Sequence, residues 1–464
     1  MATFDLLPRE VIHLIGLHLE ARSLGRFSLV SRSLRLSLEL DEDFYHLLRI
    51  KLQIITRLDL TDYTREELRL LHLVGNQDRK IAAGTSHSFF VTSQGQVYVC
   101  GEDNLGETGL MMPAQGQILV PTLINRPEMG QIVSMATNSG HSLFLNSQGQ
   151  VFSCGDGSAL GLGEITRINI PRLIDSSEMG IIVVIAAGGG YGFSLFLNTR
   201  GQVYVCGYGE DGELGISDAR RSWGQDRLGL GEEQADIPTL LECLAMGKIV
   251  AISAGENHSL LLNSQGQVWG FGQNILGELG LGEGNDKQET PALVNTKEMG
   301  MIMAISTGIA PSLFLNTRGQ LFTCGFNGNG QLGNGTTKNV FTPELIKDSS
   351  MGQIIAISAG GNHSLVLDHQ GQVYGFGSNG CNQLGPGKKR YLRPTFLKMP
   401  GPMVVISAGC NHSLVLNHQG QIFGFGSNEE SQLGLKGYST AVSPSDLESQ
   451  KKVSRPTLVW DLAL

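Results

Sequence analysis

From about residue 80 onward, hydrophobic positions alternate with small or polar ones at a period of two. The runs Gln96-Val-Tyr-Val-Cys100 and Ser142-Leu-Phe-Leu-Asn146 show the pattern plainly. That period predicts β-strands, since successive side chains of a strand point to opposite faces. Two such runs flank Asn-Ser-Gln-Gly or a close variant, a tight hairpin in which glycine supplies the positive φ. A second turn follows, Gly-x-Asn-x-x-Gly-Gln-Leu-Gly, clearest at 325–333, and then a segment opened by proline. Each unit therefore reads as an antiparallel sheet of three to four strands.

The unit recurs. Its landmark His falls at His87, His141, His258, His363 and His412, with Phe193 and Pro311 at the two remaining equivalent positions. Spacings of 54, 52, 65, 53, 52 and 49 residues make seven units. One such sheet cannot bury both faces, whereas seven packed radially can, and most strand edges are then hidden. The prediction is a mainly β protein, a seven-bladed β-propeller over 81–464. The last proline segment simply stops, while an apolar strand stands at 80–84 before the first His. We therefore expect the last blade to be built from both ends of the repeat region, locking the ring.

Residues 1–52 follow a different rule. Leu7, Ile12, Ile15 and Leu19 have helical spacing with Pro8 in the first turn, and Ser23 is placed to cap a second helix carrying Leu24 and Val30. A small all-α module is predicted, followed by a linker at 53–80 in which Thr64 and Glu67 form a capping-box pattern. With about 45 residues, such a module has little core and needs a partner.

Composition narrows the function. Thirty-four basic against 43 acidic residues give a net charge of −9, with no long basic run, so nucleic acid is not an expected partner. No stretch of about 20 apolar residues predicts a membrane span. Four of the seven cysteines (Cys100, Cys154, Cys206, Cys324) precede glycine in equivalent contexts and read as small buried residues, which suits a reducing compartment. The expectation is a cytoplasmic or nuclear monomer, in the host cytosol if the source is an intracellular pathogen.

No catalytic constellation emerges, and neither cofactor nor metal is expected. The five aligned histidines lie in five different blades with no Cys or carboxylate at ligand spacing, so they are expected to hold backbone groups. Two Gly-x-Gly-x-x-Gly stretches, at 207–212 and 375–380, open no helix and are ordinary second turns. The 65-residue spacing marks an insertion at 216–231 that carries Arg220, Arg221, Trp223 and Arg227. Trp and Arg are favoured interface anchors, although a surface loop tolerates such an insertion too. The other breaks in the repeat are at 191–193, 309–311 and 437–454.

The repeat, Ala-Gly-x-x-His-Ser-Leu, Gly-Gln-Val-Tyr-x-x-Gly and Asn-x-x-Gly-Gln-Leu-Gly, resembles the regulator of chromosome condensation family in all seven units, which implies the same seven-bladed propeller. The N-terminus resembles an F-box on Leu7-Pro8-x-Glu10, Ile12, Ile15, Leu19, Leu24, Phe27 and Leu29-Val30-Ser31-Arg32. The F-box resemblance implies docking on a Skp-type adaptor of a cullin ubiquitin ligase, through Leu7, Pro8, Ile12, Ile15, Leu19, Leu24 and Val30, with the propeller presenting a protein target. It also implies a eukaryotic ubiquitin system, the protein's own or a host's. The propeller resemblance implies a second reading, guanine nucleotide exchange on a small GTPase of the Ran type. In that family the activity resembles one relying on acidic or polar residues just before the His position. Here Glu256 is the only acidic residue among those seven pairs. On either reading the protein performs no side-chain chemistry of its own.

Overall fold

The computed structural model describes residues 80–111, 116–163, 167–216, 234–242, 244–435 and 451–461. Within them the chain forms seven four-stranded antiparallel sheets, each contiguous in sequence. The blades span 81–123, 132–173, 182–240, 249–293, 302–345, 354–397 and 403–461. Blade 4 is representative: Ile249–Ala254, His258–Asn263, Val268–Gln273 and Lys287–Leu293 pair in sequence order. The expected helical module at 1–52 and the linker up to residue 79 lie outside the described residues.

The second strand of every blade is buried on both faces, because a neighbouring blade covers each side. Its apolar positions fill the spaces between blades; Phe89 and Phe144, from blades 1 and 2, meet edge to face at 5.3 Å. Burying such a side chain stabilises the fold by about 1.5–3 kcal/mol. The fourth strand is half exposed and carries the proline, which an outer edge tolerates.

The hairpin between the second and third strands is held by its first residue. Asn263 Oδ1 accepts the backbone N–H groups of Gln265 and Gln267 at 3.0 and 2.9 Å, and its Nδ2 donates to the Met246 carbonyl at 2.9 Å. Gly266 has φ +73°, and a Cβ there would stand 2.5 Å from Met301 of the next blade. Both residues of the motif are thus set by geometry.

Ring closure differs from the sequence expectation. The strand expected to complete the last blade, Ile81–Ala83, is instead the innermost strand of blade 1, paired with His87–Val91. Blade 7 has its own inner strand, Met403–Ala408. Each inner strand precedes its His strand through a short turn, so 80–461 contains seven whole sheets and none is shared. The closing seam uses side chains: Ser407 Oγ accepts the Ala83 N–H at 3.1 Å, His412 meets Ser88 at 2.9 Å, and the Tyr98 and Trp460 rings lie 4.7 Å apart.

Candidate docking face

Antiparallel pairing divides the loops between the two ends of the propeller. The turns from first to second strand, which carry the residues before each His, share one end with the loops from third to fourth strand. The Asn-Ser-Gln-Gly hairpins and the connections between blades occupy the other. Both altered turns, and the described residues at which the two long segments leave and return, therefore belong to the same end. The altered turns at 191–193 and 309–311 are first-to-second turns, and the long segments that begin after Ile216 and after Leu435 both run from third to fourth strand.

The five histidines lie just beneath this face and are spent on holding blades together. Nε2 of His141, His258, His363 and His412 meets the hydroxyl of Ser194, Ser312, Ser413 and Ser88 in the next blade at 2.9–3.0 Å, and His87 reaches Thr137. Ser194, Ser312 and Ser413 pass their own hydrogen to the carbonyls of Ala159, Glu278 and Gln383, so each accepts from the imidazole, which places the proton on Nε2. The polar members of the period-two pattern are thus seam hydrogen bonds. The expected backbone partner is reached one step later, through serine. Burial holds the rings neutral, pushing His87 and His141 down to about 4 and the other three to about 3. Cys100, Cys154, Cys206 and Cys324 are free and buried, and each thiol donates to a carbonyl of the preceding blade around the ring.

Seven inner strands surround a central channel of about 190 Å³ lined by small residues, with Thr85, Asn138, Ile309, Gly361 and Cys410 among those lining it from the His turns. No group of three or more His, Cys, Asp and Glu side chains able to hold a metal occurs among the described residues.

Of the predicted partner-binding residues, Glu256 belongs to this face, at the turn between the first two strands of blade 4. Its side chain is half-buried, and burial raises its carboxyl. Arg220, Arg221, Trp223 and Arg227 fall in 217–233, outside the described residues, as do Leu7, Pro8, Ile12, Ile15, Leu19, Leu24 and Val30. The structure adds Tyr191, which is 75% exposed and pairs with Tyr208 at a ring separation of 5.2 Å. The signal for it was present in sequence, a tyrosine in a run of glycines (188–192) at a broken repeat position.

A second missed feature is the Asn of the loop motif. Asn274 Oδ1 accepts the Leu279 N–H at 2.9 Å while Nδ2 donates to the Asn285 carbonyl at 2.7 Å, tying the outgoing chain to the returning one. Asn327 and Asn379 tie their loops to Thr336 and Lys388 in the same way. Blades 2 and 3 have Gly157 and Gly209 at this position, so neither can form the clamp.

Residues 220–460 match the family described as RCC1-like domain, and residues 79–107 and 132–159 match the regulator of chromosome condensation (RCC1) repeat. The regulator of chromosome condensation of Xenopus laevis is 31% identical over 309 residues, covering 62% of this chain and 69% of that protein. The E3 ubiquitin-protein ligase HERC2 of Mus musculus is 29% identical over 327 residues, 69% of this chain, but the match spans only 6% of the ligase's length. Prp20p of Saccharomyces cerevisiae, a structure whose description names binding to Gsp1p and histones, superposes with a TM-score of 0.67 at 21% identity, covering 84% of this chain and 90% of that one, a likeness of fold. No helix among the described residues is long and apolar enough to cross a membrane. Repeat, blade geometry and kinship agree, and the chain belongs to the RCC1-like domain family.

Proposed function

We propose that this protein works by docking a protein partner on the face that carries the His turns, with 217–233 of blade 3 supplying the anchors Arg220, Arg221, Trp223 and Arg227. The observation that carries this reading is that the altered turns at 191–193 and 309–311 share one face with the described ends of the two long segments. The hairpins of the opposite face are nearly identical from blade to blade, and a surface repeated seven times offers little to specify one partner. The N-terminal residues Leu7, Pro8, Ile12, Ile15, Leu19, Leu24 and Val30 would recruit a Skp-type adaptor of a cullin ligase, so that the propeller holds a target for ubiquitination. The mechanism is then proximity, a raised effective concentration of target lysines. The match of 327 residues of this chain to a small part of a ubiquitin ligase bears on a use in ubiquitination and not on adaptor docking.

Exchange on a Ran-type GTPase has at least as much support. The family relationship to the frog regulator of chromosome condensation favours it, as does the position of Glu256 on the docking face. One set of purifications separates the two. Co-purify the intact chain with a Skp-type adaptor, and again with Leu7→Ala and Pro8→Ala combined. In parallel, follow release of fluorescent GDP from Ran with the intact chain and with Glu256→Ala. Adaptor binding lost in the double variant supports the ligase reading. Accelerated release lost in Glu256→Ala supports exchange. Neither result with either partner would overturn both.

A further inference from the structure

We propose that the seam between blades 3 and 4 binds a basic segment of a protein partner, with a lysine or arginine cation against the Tyr191 ring and the Glu256 carboxylate as its counter-ion. The proposal rests on the docking-face reading and names the chemistry of its partner. Tyr191 is the most exposed aromatic ring among the described residues, yet it is not loosely held. Its turn is fixed to blade 4 by the Gly189 N–H donating to the Gly255 carbonyl at 2.8 Å, and it is closed by Gly192 N–H to Gly189 O at 2.7 Å. The glycines let the turn pack closely against blade 4. A Cβ on Gly189 would stand 3.2 Å from Glu256 Cγ, and one on Gly190 would collide with Asn257 Oδ1. Tyr208 backs the Tyr191 ring at 5.2 Å, so the ring is presented preorganised.

On the described turns beside this platform, at 209–211 and 255–257, the charged side chains are all acidic. Glu256 makes no hydrogen bond or ion pair among the described residues. Glu210 is exposed and Asp211 half-exposed on the turn that follows Tyr208. Beneath that turn Glu213 is 97% buried by contrast with them, its Oε2 without a partner, and burial pushes its carboxyl up to about 7. Lys287, the cation that bears on Glu213, pairs with Glu289 at 3.1 Å. An exposed aromatic face on a turn packed against Glu256 attracts a cation through both the ring quadrupole and the ionic field, and repels an acidic segment.

The test uses the full chain and a labelled hexa-arginine peptide, followed by fluorescence anisotropy at low and physiological salt. Saturable binding that weakens with salt is expected. Tyr191→Ala and Glu256→Gln should each weaken it roughly 3- to 10-fold, whereas Tyr191→Phe, which keeps the ring, should bind like the parent. Glu429→Gln with Glu430→Gln removes charge from blade 7 on the same face and should change binding less than about 2-fold. Unchanged melting temperatures show that the variants fold. Absence of saturable binding, equal losses in the blade 7 variant, or an equal loss in Tyr191→Phe would overturn the proposal. A protein partner still captured by both seam variants but lost on deleting 217–225 would overturn it while leaving the docking face in place.

Discussion

At the residue scale, the buried histidines make stability depend on pH with a definite sign. An unfolded imidazole takes up a proton below about pH 6.5, while the native rings refuse one until about 3–4. The unfolded state therefore binds more protons across this window, and stability falls as the pH drops from 6.5 toward 4. Each ring contributes up to about 1.4 kcal/mol per pH unit. Glu213, raised to about 7, acts in the opposite sense between 4.5 and 7, and Glu107, Asp236, Glu256 and Glu278, which burial also raises, act with it against the five rings. Melting temperature should fall steeply between pH 6.5 and 5.5, and His258→Phe, the residue type blade 3 uses at this position, should flatten the slope. A flat profile would contradict the buried neutral assignment. A second residue departs from its repeat. Asp368 stands where five other blades have Asn, and its buried Oδ2 has no hydrogen-bond partner among the described residues. Asp368→Asn restores a donor toward the preceding connection, as Asn263 has, and should raise stability by about 1 kcal/mol, read as a higher melting temperature.

At the scale of elements, the strands were legible because each turn advertises itself, by Asn and Gly at the hairpin and by Gly-Gln-Leu-Gly at the outer loop. The phase of the unit was not. A free apolar strand at one end and a proline segment at the other suggest an exchanged strand, but a turn as short as 84–86 makes local pairing with His87–Val91 the cheaper contact to close. If the closing seam is like any other, Ser407→Ala should lower the melting temperature about as much as Ser306→Ala, which frees the Ala359 N–H at an internal seam. Each substitution leaves a backbone donor unpaired, at a cost of about 1–3 kcal/mol. A far larger loss for Ser407→Ala would single out the closing seam. The Asn of the outer-loop motif recurs visibly along the chain, but its role, tying two stretches 9 to 11 residues apart, cannot be read from the repeat. Deleting 217–225, an insertion relative to the other units, should leave the melting temperature within about 1 kcal/mol equivalent of the parent, as expected of a segment the repeat does not require. A large drop would place that segment in the fold's support instead.

At the largest scale the structure describes, seven similar sheets surround one channel and their two ends differ. The hairpin face repeats itself. The His-turn face carries the altered turns at 191–193 and 309–311, with the exposed Tyr191 and the half-buried Glu256. That difference was only partly legible in sequence: the breaks were visible one by one, but their common face depends on strand direction, which needs the correct phase. The most direct measurement is site-specific photo-cross-linking in eukaryotic lysate, with a benzophenone amino acid replacing Tyr191 on one face or Gln265 on the other. The docking-face account predicts discrete protein adducts from position 191 and none from position 265. Adducts formed chiefly from position 265 would contradict it.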